Sequence, residues 1–225
     1  MLMKVFPHGT GEGDKPSRYL VRPDYPGRDT APPQVLRGDP AMTRALIDSI
    51  ERRWKFTSGV LAWHPDEKIS EEQEEEVMNA FERVAFAGLE ADQRNILWVR
   101  HTHAGHHELH FLIPRLELSS GKDFNACPPG WQKDFDVFRD LFNWREGWAR
   151  PDDPARARDE LPKKADLFKA RMERWGREIR ESDRDRAKEV IHAFLKEKVT
   201  QGLVRNREDI LSALKEQGLS INREG

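Results

Sequence analysis

Asn95-Ile-Leu-Trp-Val-Arg-His101 and Glu108-Leu-His-Phe-Leu-Ile-Pro-Arg-Leu-Glu-Leu118 are two apolar, alternating runs joined by the short polar link Thr102-His-Ala-Gly-His-His107. Alternation at period two is the pattern of strands whose side chains point to opposite faces. The link, centred on Ala104-Gly105, reads as the turn of a β-hairpin. Positions 101 to 110 also hold five of the chain's eight histidines. Glu108 and His110 are two apart, so both project from one face, with Leu109 turned to the other. His101, at the end of the neighbouring strand, lies beside them on that face. Two imidazoles and one carboxylate so placed suit a divalent ion such as Mg²⁺, Mn²⁺ or Zn²⁺, with positions left open for a phosphate oxygen. His103 shares the parity of His101 and is expected to orient it. His106 and His107 fall in or beside the turn, where solvent exposure is expected.

Working outward, residues 1–6 and 56–64 read as two further strands. Arg22 to Pro40 holds five prolines and two glycines with little periodicity, and is expected to be a long surface loop. Met42 to Arg53 has helical spacing of apolar residues. Ser70 opens the clearest helix: Gln73 three residues on makes a capping box, the acids of the first turn suit the helix dipole, and Gly88 ends it. The acidic run Glu71–Glu76 is expected to be a solvated helix start and not a metal site. From Gln132 the chain turns helical. Phe135, Phe138, Leu141 and Phe142 are expected on one face, followed by helices over 167–179, 187–199 and 207–217. The fold class expected is α+β: a central antiparallel sheet backed by helices, its last two strands central and carrying the metal face, with a helical C-terminal half. A boundary is expected near Ser182, giving a domain over 1–182 and a small helical segment over 183–225.

Charged residues make up 35% of the 225 positions, with a net charge of −2. Glu67 to Asp92 holds nine acids and two bases, a local −7, which leaves the rest of the chain at +5. Nucleic-acid binding is permitted by this distribution without being indicated by it. The single cysteine, Cys127, excludes an internal disulfide framework and a cysteine-built zinc finger. No signal-peptide layout and no membrane-spanning apolar run is present, so a cytoplasmic protein without membrane insertion is expected. A His-x-His-x-x-His start also occurs in metallo-β-lactamase-like hydrolases, but those need an Asp where this chain has Gly105.

The chain has two tyrosines. Tyr25 precedes Pro26-Gly27 and reads as a turn residue. Tyr19 lies just past the glycine-rich Gly9-Thr-Gly-Glu-Gly-Asp-Lys-Pro16 and is followed by Leu20. Here the chain resembles the mobilisation relaxases of small plasmids, nicking enzymes of the HUH type, and within them the colicinogenic-plasmid branch. Further blocks follow in the family's order: Val35-Leu-Arg-Gly-Asp-Pro40, Ala87-Gly-Leu89, Trp98-Val-Arg-His101, Glu108-Leu-His-Phe111, Pro114-Arg-Leu-Glu-Leu-Ser-Ser-Gly-Lys122, Pro128-Pro-Gly130 and Gly147-Trp-Ala-Arg-Pro-Asp-Asp-Pro154. The resemblance covers about residues 1–160 clearly and the remainder loosely.

The resemblance implies that Tyr19 is the nucleophile, with Tyr25 as the fallback. It implies metal ligation by His101, Glu108 and His110: Glu108 agrees with the branch's His-Glu-Asn set, and His110 with the three-histidine form. His103 and His106 fall on the family's Asp and Asn positions, and with bound water they are the candidates for proton transfer. The implied reaction is site-specific nicking and rejoining of single-stranded DNA at a plasmid transfer origin, through a 5′-phosphotyrosyl bond and with Mg²⁺ or Mn²⁺. Accessory mobilisation proteins and a conjugative coupling protein are the partners it suggests. Arg18, Arg100, Arg115 and Lys122 are the expected phosphate contacts. Trp131, Trp144 and Trp148 are candidates for base stacking, although their periodic aromatic neighbours favour core packing. Full-length relaxases run further, so the chain is expected to be shortened. Two other readings stay open: a rolling-circle replication-initiation nuclease, and a non-catalytic DNA-binding module whose metal staples the hairpin.

Overall fold

The computed structural model describes residues 1–7, 9–154 and 183–219. The helix expected over 167–179 and the boundary expected near Ser182 lie outside the described residues. The chain divides into two compact units, Met1–Leu161 and Pro162–Gly225.

The first unit is a five-stranded antiparallel sheet in the order β1-β3-β5-β4-β2, formed by β1 (Leu2–Val5), β2 (Gln34–Arg37), β3 (Phe56–Ala62), β4 (Leu97–His101) and β5 (Glu108–Pro114). β5 is the middle strand and β4 its neighbour, so the hairpin lies inside the sheet as its alternation requires. Pairing of Val99 with His110 and of His101 with Glu108 sets the register. A one-residue slip would turn every one of these side chains to the other face.

Helices cover both faces. On one, α3 (Glu71–Ala85) and α4 (Gln132–Glu146) pack Val77, Phe81, Phe135, Phe138 and Phe142 against Leu61, Trp98, Leu109, Phe111 and Ile113. Phe81 is the hub, its ring 5.0 Å from Trp98, 4.6 Å from Phe111 and 5.1 Å from Phe135. On the other face, α1 (Asp14–Val21) and α2 (Pro40–Asp48) bury Leu20 and Ile47 on Leu97, Val99 and Leu112. The capping box at Ser70 forms as its spacing requires. α2 starts on Asp39, whose side chain accepts from Met42 N at 2.6 Å, with Pro40 just inside.

Several expectations are corrected. The loop expected over 22–40 contains β2, an edge strand of four residues with a register shift between Val35 and Arg37. It is held by the exposed backbone edge of β4 and not by side-chain alternation, which is why the sequence hides it. α2 stops at Asp48 and not at residue 53, because the Ser49 hydroxyl donates back to the Leu46 carbonyl at 2.8 Å and Ile50 folds into the core. On α4 the buried stripe is Phe135, Phe138 and Phe142. Leu141 sits about a quarter-turn away from it and is 55% exposed. Trp144 is exposed, Trp131 half-buried against the core, and Trp148 buried, its ring 5.5 Å from that of Trp63.

In the second unit the described residues form α5 (Asp183–Thr200) and α6 (Arg207–Glu216), the latter capped by Asn206, whose side chain accepts from Asp209 N at 2.9 Å. No described helix is long and apolar enough to cross a membrane.

Candidate active site

His101, Glu108 and His110 meet where strand parity places them, at one end of the hairpin on the face covered by α1. Their donor atoms lie within 4.8 Å of one another, and among the described residues they are the one group of three so arranged. The His101 and His110 rings are 4.4 Å apart. The Glu108 carboxylate accepts from His106 Nε2 at 2.9 Å on one oxygen and from His110 Nε2 at 3.2 Å on the other.

The charge state of this cluster suits a cation. Burial, with the neighbouring His110 adding to it, brings the His101 imidazole down to about 3, so it is neutral at physiological pH. Burial alone would raise the Glu108 carboxyl, but the hydrogen bonds and charges of His110 and His106 outweigh it and hold the group at about 2. The cluster therefore presents an ionised carboxylate and a neutral ring that need lose no proton before binding a metal.

Both groups sit below their ordinary values, so each contributes stability that is complete above the unfolded value and declines as pH falls towards the folded one. The window is set by His101, from its ordinary 6.5 down to about 3, and by Glu108, from 4.5 down to about 2. Metal-free protein is expected to lose about 3 kcal/mol between pH 7 and pH 4 through His101 alone. Thermal melts in chelator measure this. An acid slope in His101→Asn as steep as that of the parent protein would refute it.

The tyrosine arrives on α1. Gly13 precedes this helix, and its backbone N–H donates to Asp48 Oδ1 at 2.7 Å. A Cβ there would stand 2.9 Å from the Arg44 carbonyl oxygen, so glycine is what lets α1 close on α2. Leu20 then points into the core while Tyr19, 43% exposed, projects over the site with its ring 6.4 Å from that of His101. Burial, then Tyr25, raises the Tyr19 phenol above its ordinary 10, with Arg28 pulling the other way.

Tyr25 closes the site from the loop. Tyr25-Pro-Gly-Arg28 is a β-turn in which Arg28 N donates to Tyr25 O at 3.0 Å and Gly27 takes φ +83°, the conformation that a type II turn demands of its third residue. The Tyr25 ring lies 5.8 Å from Tyr19 and 5.5 Å from His103. The turn also delivers Arg28, which sequence reasoning missed. Arg28 is fully buried; its Nη1 donates to the carbonyls of Tyr19 at 2.6 Å and Arg22 at 3.1 Å, and its Nη2 lies 3.3 Å from His101 Nδ1. The guanidinium stands 5.1 Å from the Tyr19 ring centre and 4.7 Å from that of Tyr25. The Pro-Gly pair signals the turn; nothing local signals a contact 73 residues away.

Other expected residues are placed differently. The nitrogens of His101 face the Leu20 carbonyl, at 2.8 Å from Nε2, and Arg28. His103 is only an edge-on neighbour, ring to ring at 5.3 Å. Neither turn histidine is free: His106 is on Glu108, and His107 Nε2 lies 2.6 Å from Glu74 on the sheet's other face. Arg100 points to that other face too, with Nη1 2.8 Å from Glu74 and a further bond to Gln34. Glu74 is thus the one member of the run 71–76 that is buried. Arg115, buried and 2.7 Å from Asp123, and Lys122, exposed on the following turn, lie beyond the far end of β5, about 20 Å along the strand from Glu108. Arg18, next to Tyr19 in the chain, is exposed on α1 and lies 3.4 Å from Asp14.

A sequence model of the family described as "Relaxase: MobA/VirD2-like, nuclease domain" matches residues 41–143, which include His101, Glu108 and His110. "Cryptic plasmid protein C" of Neisseria gonorrhoeae is 40% identical over 159 residues, covering 69% of this chain and 75% of that protein. The chain belongs to the MobA/VirD2-like relaxase family. This relaxase is also 31% identical to "DNA relaxase MbeA" of Escherichia coli over 229 residues, 99% of this chain, and spans 40% of that protein's length. No solved structure matches it. As a relaxase nuclease domain it is a DNA-nicking enzyme of plasmid mobilisation. The family match covers the hairpin and most of α4 but not Tyr19, which lies within the longer alignment to MbeA.

Proposed function

We propose that this relaxase cuts and rejoins one strand of plasmid DNA at a transfer origin, with Tyr19 as nucleophile and His101, Glu108 and His110 as the metal ligands. The observation that carries the reading is the position of the Tyr19 ring, 6.4 Å from His101 and over the one close His-Glu-His group among the described residues. The donor set fits a divalent ion: two imidazoles, one of them held neutral, and one ionised carboxylate. Mg²⁺ or Mn²⁺ bound there would neutralise charge on a phosphate oxygen as the bond to phosphorus forms.

The chain's own residues do the rest. The Tyr19 oxygen forms a bond to phosphorus, the bond to the 3′-oxygen breaks, and the 5′-phosphate stays on the tyrosine. The phenol's proton leaves and the 3′-oxygen gains one, with His103 and His106 as the near candidates for carrying it. One phosphodiester is exchanged for another, so the 3′-hydroxyl can reverse the step and reseal the strand. Arg18, exposed beside Tyr19, contacts the strand backbone. The DNA is single-stranded at the site of cutting. The setting is the cytoplasm, with accessory mobilisation proteins and a coupling protein as partners.

The test is incubation with Mn²⁺ and candidate origin strands, followed by denaturing electrophoresis and peptide mapping. A covalent adduct on Tyr19 that chelator prevents is the expected result. An adduct indifferent to chelator, or none with any origin strand, defeats the reading; chelation that unfolds the protein favours a metal that only staples the hairpin.

A further inference from the structure

Among the described residues, Arg28 is a fully buried cation with no carboxylate in hydrogen-bonding contact. Its Nη1 is committed to the carbonyls of Tyr19 and Arg22, its Nη2 faces His101 Nδ1, and its Nε has no hydrogen-bond partner among them. A buried donor left unpaired is costly and calls for an explanation. The surroundings of His101 supply one. The Leu20 carbonyl can only accept, so the ring proton is on Nε2. Arg28 can only donate, so the lone pair is on Nδ1. Two independent neighbours specify the same tautomer, and its single lone pair is the one already occupied by Arg28.

We infer that Arg28 guards the His101 lone pair in the metal-free protein and, once displaced by the metal, turns the edge formed by Nε and Nη2 to the scissile phosphate. A lone pair serves one partner, so metal ligation by His101 releases Nη2. Nε and Nη2 are the adjacent N–H groups of the guanidinium's side edge, spaced to meet two oxygens of one phosphate. Nη1 meanwhile keeps its grip on the end of α1, so the released edge stays beside Tyr19. Binding is thereby ordered: the donors that recognise phosphate become free only when the metal is in place. This rests on the reading of His101, Glu108 and His110 as a metal centre.

The experiment is Mn²⁺ titration by calorimetry, without DNA, on the parent protein and on Arg28→Met. Removing the competitor is expected to tighten Mn²⁺ binding about tenfold, the order expected for a hydrogen bond to a charged donor. Equal or weaker binding overturns the inference. If Arg28→Met does not fold, ¹⁵N NMR of the parent protein decides it. His101 is expected to carry its proton on Nε2 without metal, and Mg²⁺ is expected to move the His101 Nδ1 and Arg28 guanidinium signals together. Arg28 signals that ignore Mg²⁺ overturn it. A parent protein that binds no divalent ion overturns the metal reading and this one together, whereas metal binding indifferent to Arg28 overturns this one alone.

Discussion

Tyr19→Phe is expected to abolish covalent attachment to an origin strand, by at least about 10³-fold, while leaving the fold and strand binding nearly unchanged. The substitution keeps the ring, and with it the edge contacts to Tyr25 and His101 and the place over Arg28. Only the hydroxyl is lost. Tyr19 is 43% exposed, so loss of its hydroxyl should cost little stability and the melting temperature should stay within a few degrees. The chemistry has no such tolerance, because without the oxygen no phosphotyrosyl bond can form. Tyr25→Phe is the control: it stands in the same aromatic group, and its loss should cost less than about tenfold by relaxing the position of Arg28. Adduct persisting in Tyr19→Phe and vanishing in Tyr25→Phe would move the nucleophile six residues along the chain.

Glu108→Gln carries the second large effect. Glutamine is nearly isosteric and still accepts hydrogen bonds, so the contacts with His106 and His110 can survive in part. The negative charge does not. A site of two imidazoles and an amide is a much poorer host for an oxygen-preferring divalent ion. Mn²⁺ affinity should drop by about 100-fold or more, and adduct formation at fixed metal should fall with it, partly restored by raising Mn²⁺. Recovery at high metal is the diagnostic outcome, since a carboxylate acting only as a structural acceptor would not be rescued that way. Unchanged Mn²⁺ affinity in this variant would remove Glu108 from the ligand set.

The hairpin and its ligand face are legible in the sequence because they rest on local rules. Alternation gives the strands, Ala104-Gly105 gives the turn, and parity then puts His101, Glu108 and His110 on one side. The same parity, applied consistently, turns Arg100 away from them, since it precedes His101 by one residue. Arg100 therefore faces α3, where its Nη1 lies 2.8 Å from Glu74. What stayed hidden depends on contacts between distant segments. β2 exists because β4 has an open edge, and Leu141 was placed by apolar character where only its angle on the helix decides. Arg28 could be read as the end of a turn, but its meeting with His101 depends on how α1 and the loop settle over the sheet. Tyr19 itself is legible mainly through family likeness; the geometry adds its place over the His-Glu-His cluster.

The end of α1 is held by side chains from outside the helix. This helix is only eight residues long, below the length at which a helix persists alone. Its last carbonyls, those of Tyr19 and Leu20, and that of Arg22 just beyond, are satisfied by Arg28 and His101. The segment bearing Tyr19 is therefore fastened to the sheet through His101 and Arg28, at the edge of the His-Glu-His cluster. On the proposed reading, local melting of this short segment would carry Tyr19 away from the His-Glu-His cluster without disturbing the β5 register, so that an attached strand could be paid out and brought back while His101, Glu108 and His110 keep their places.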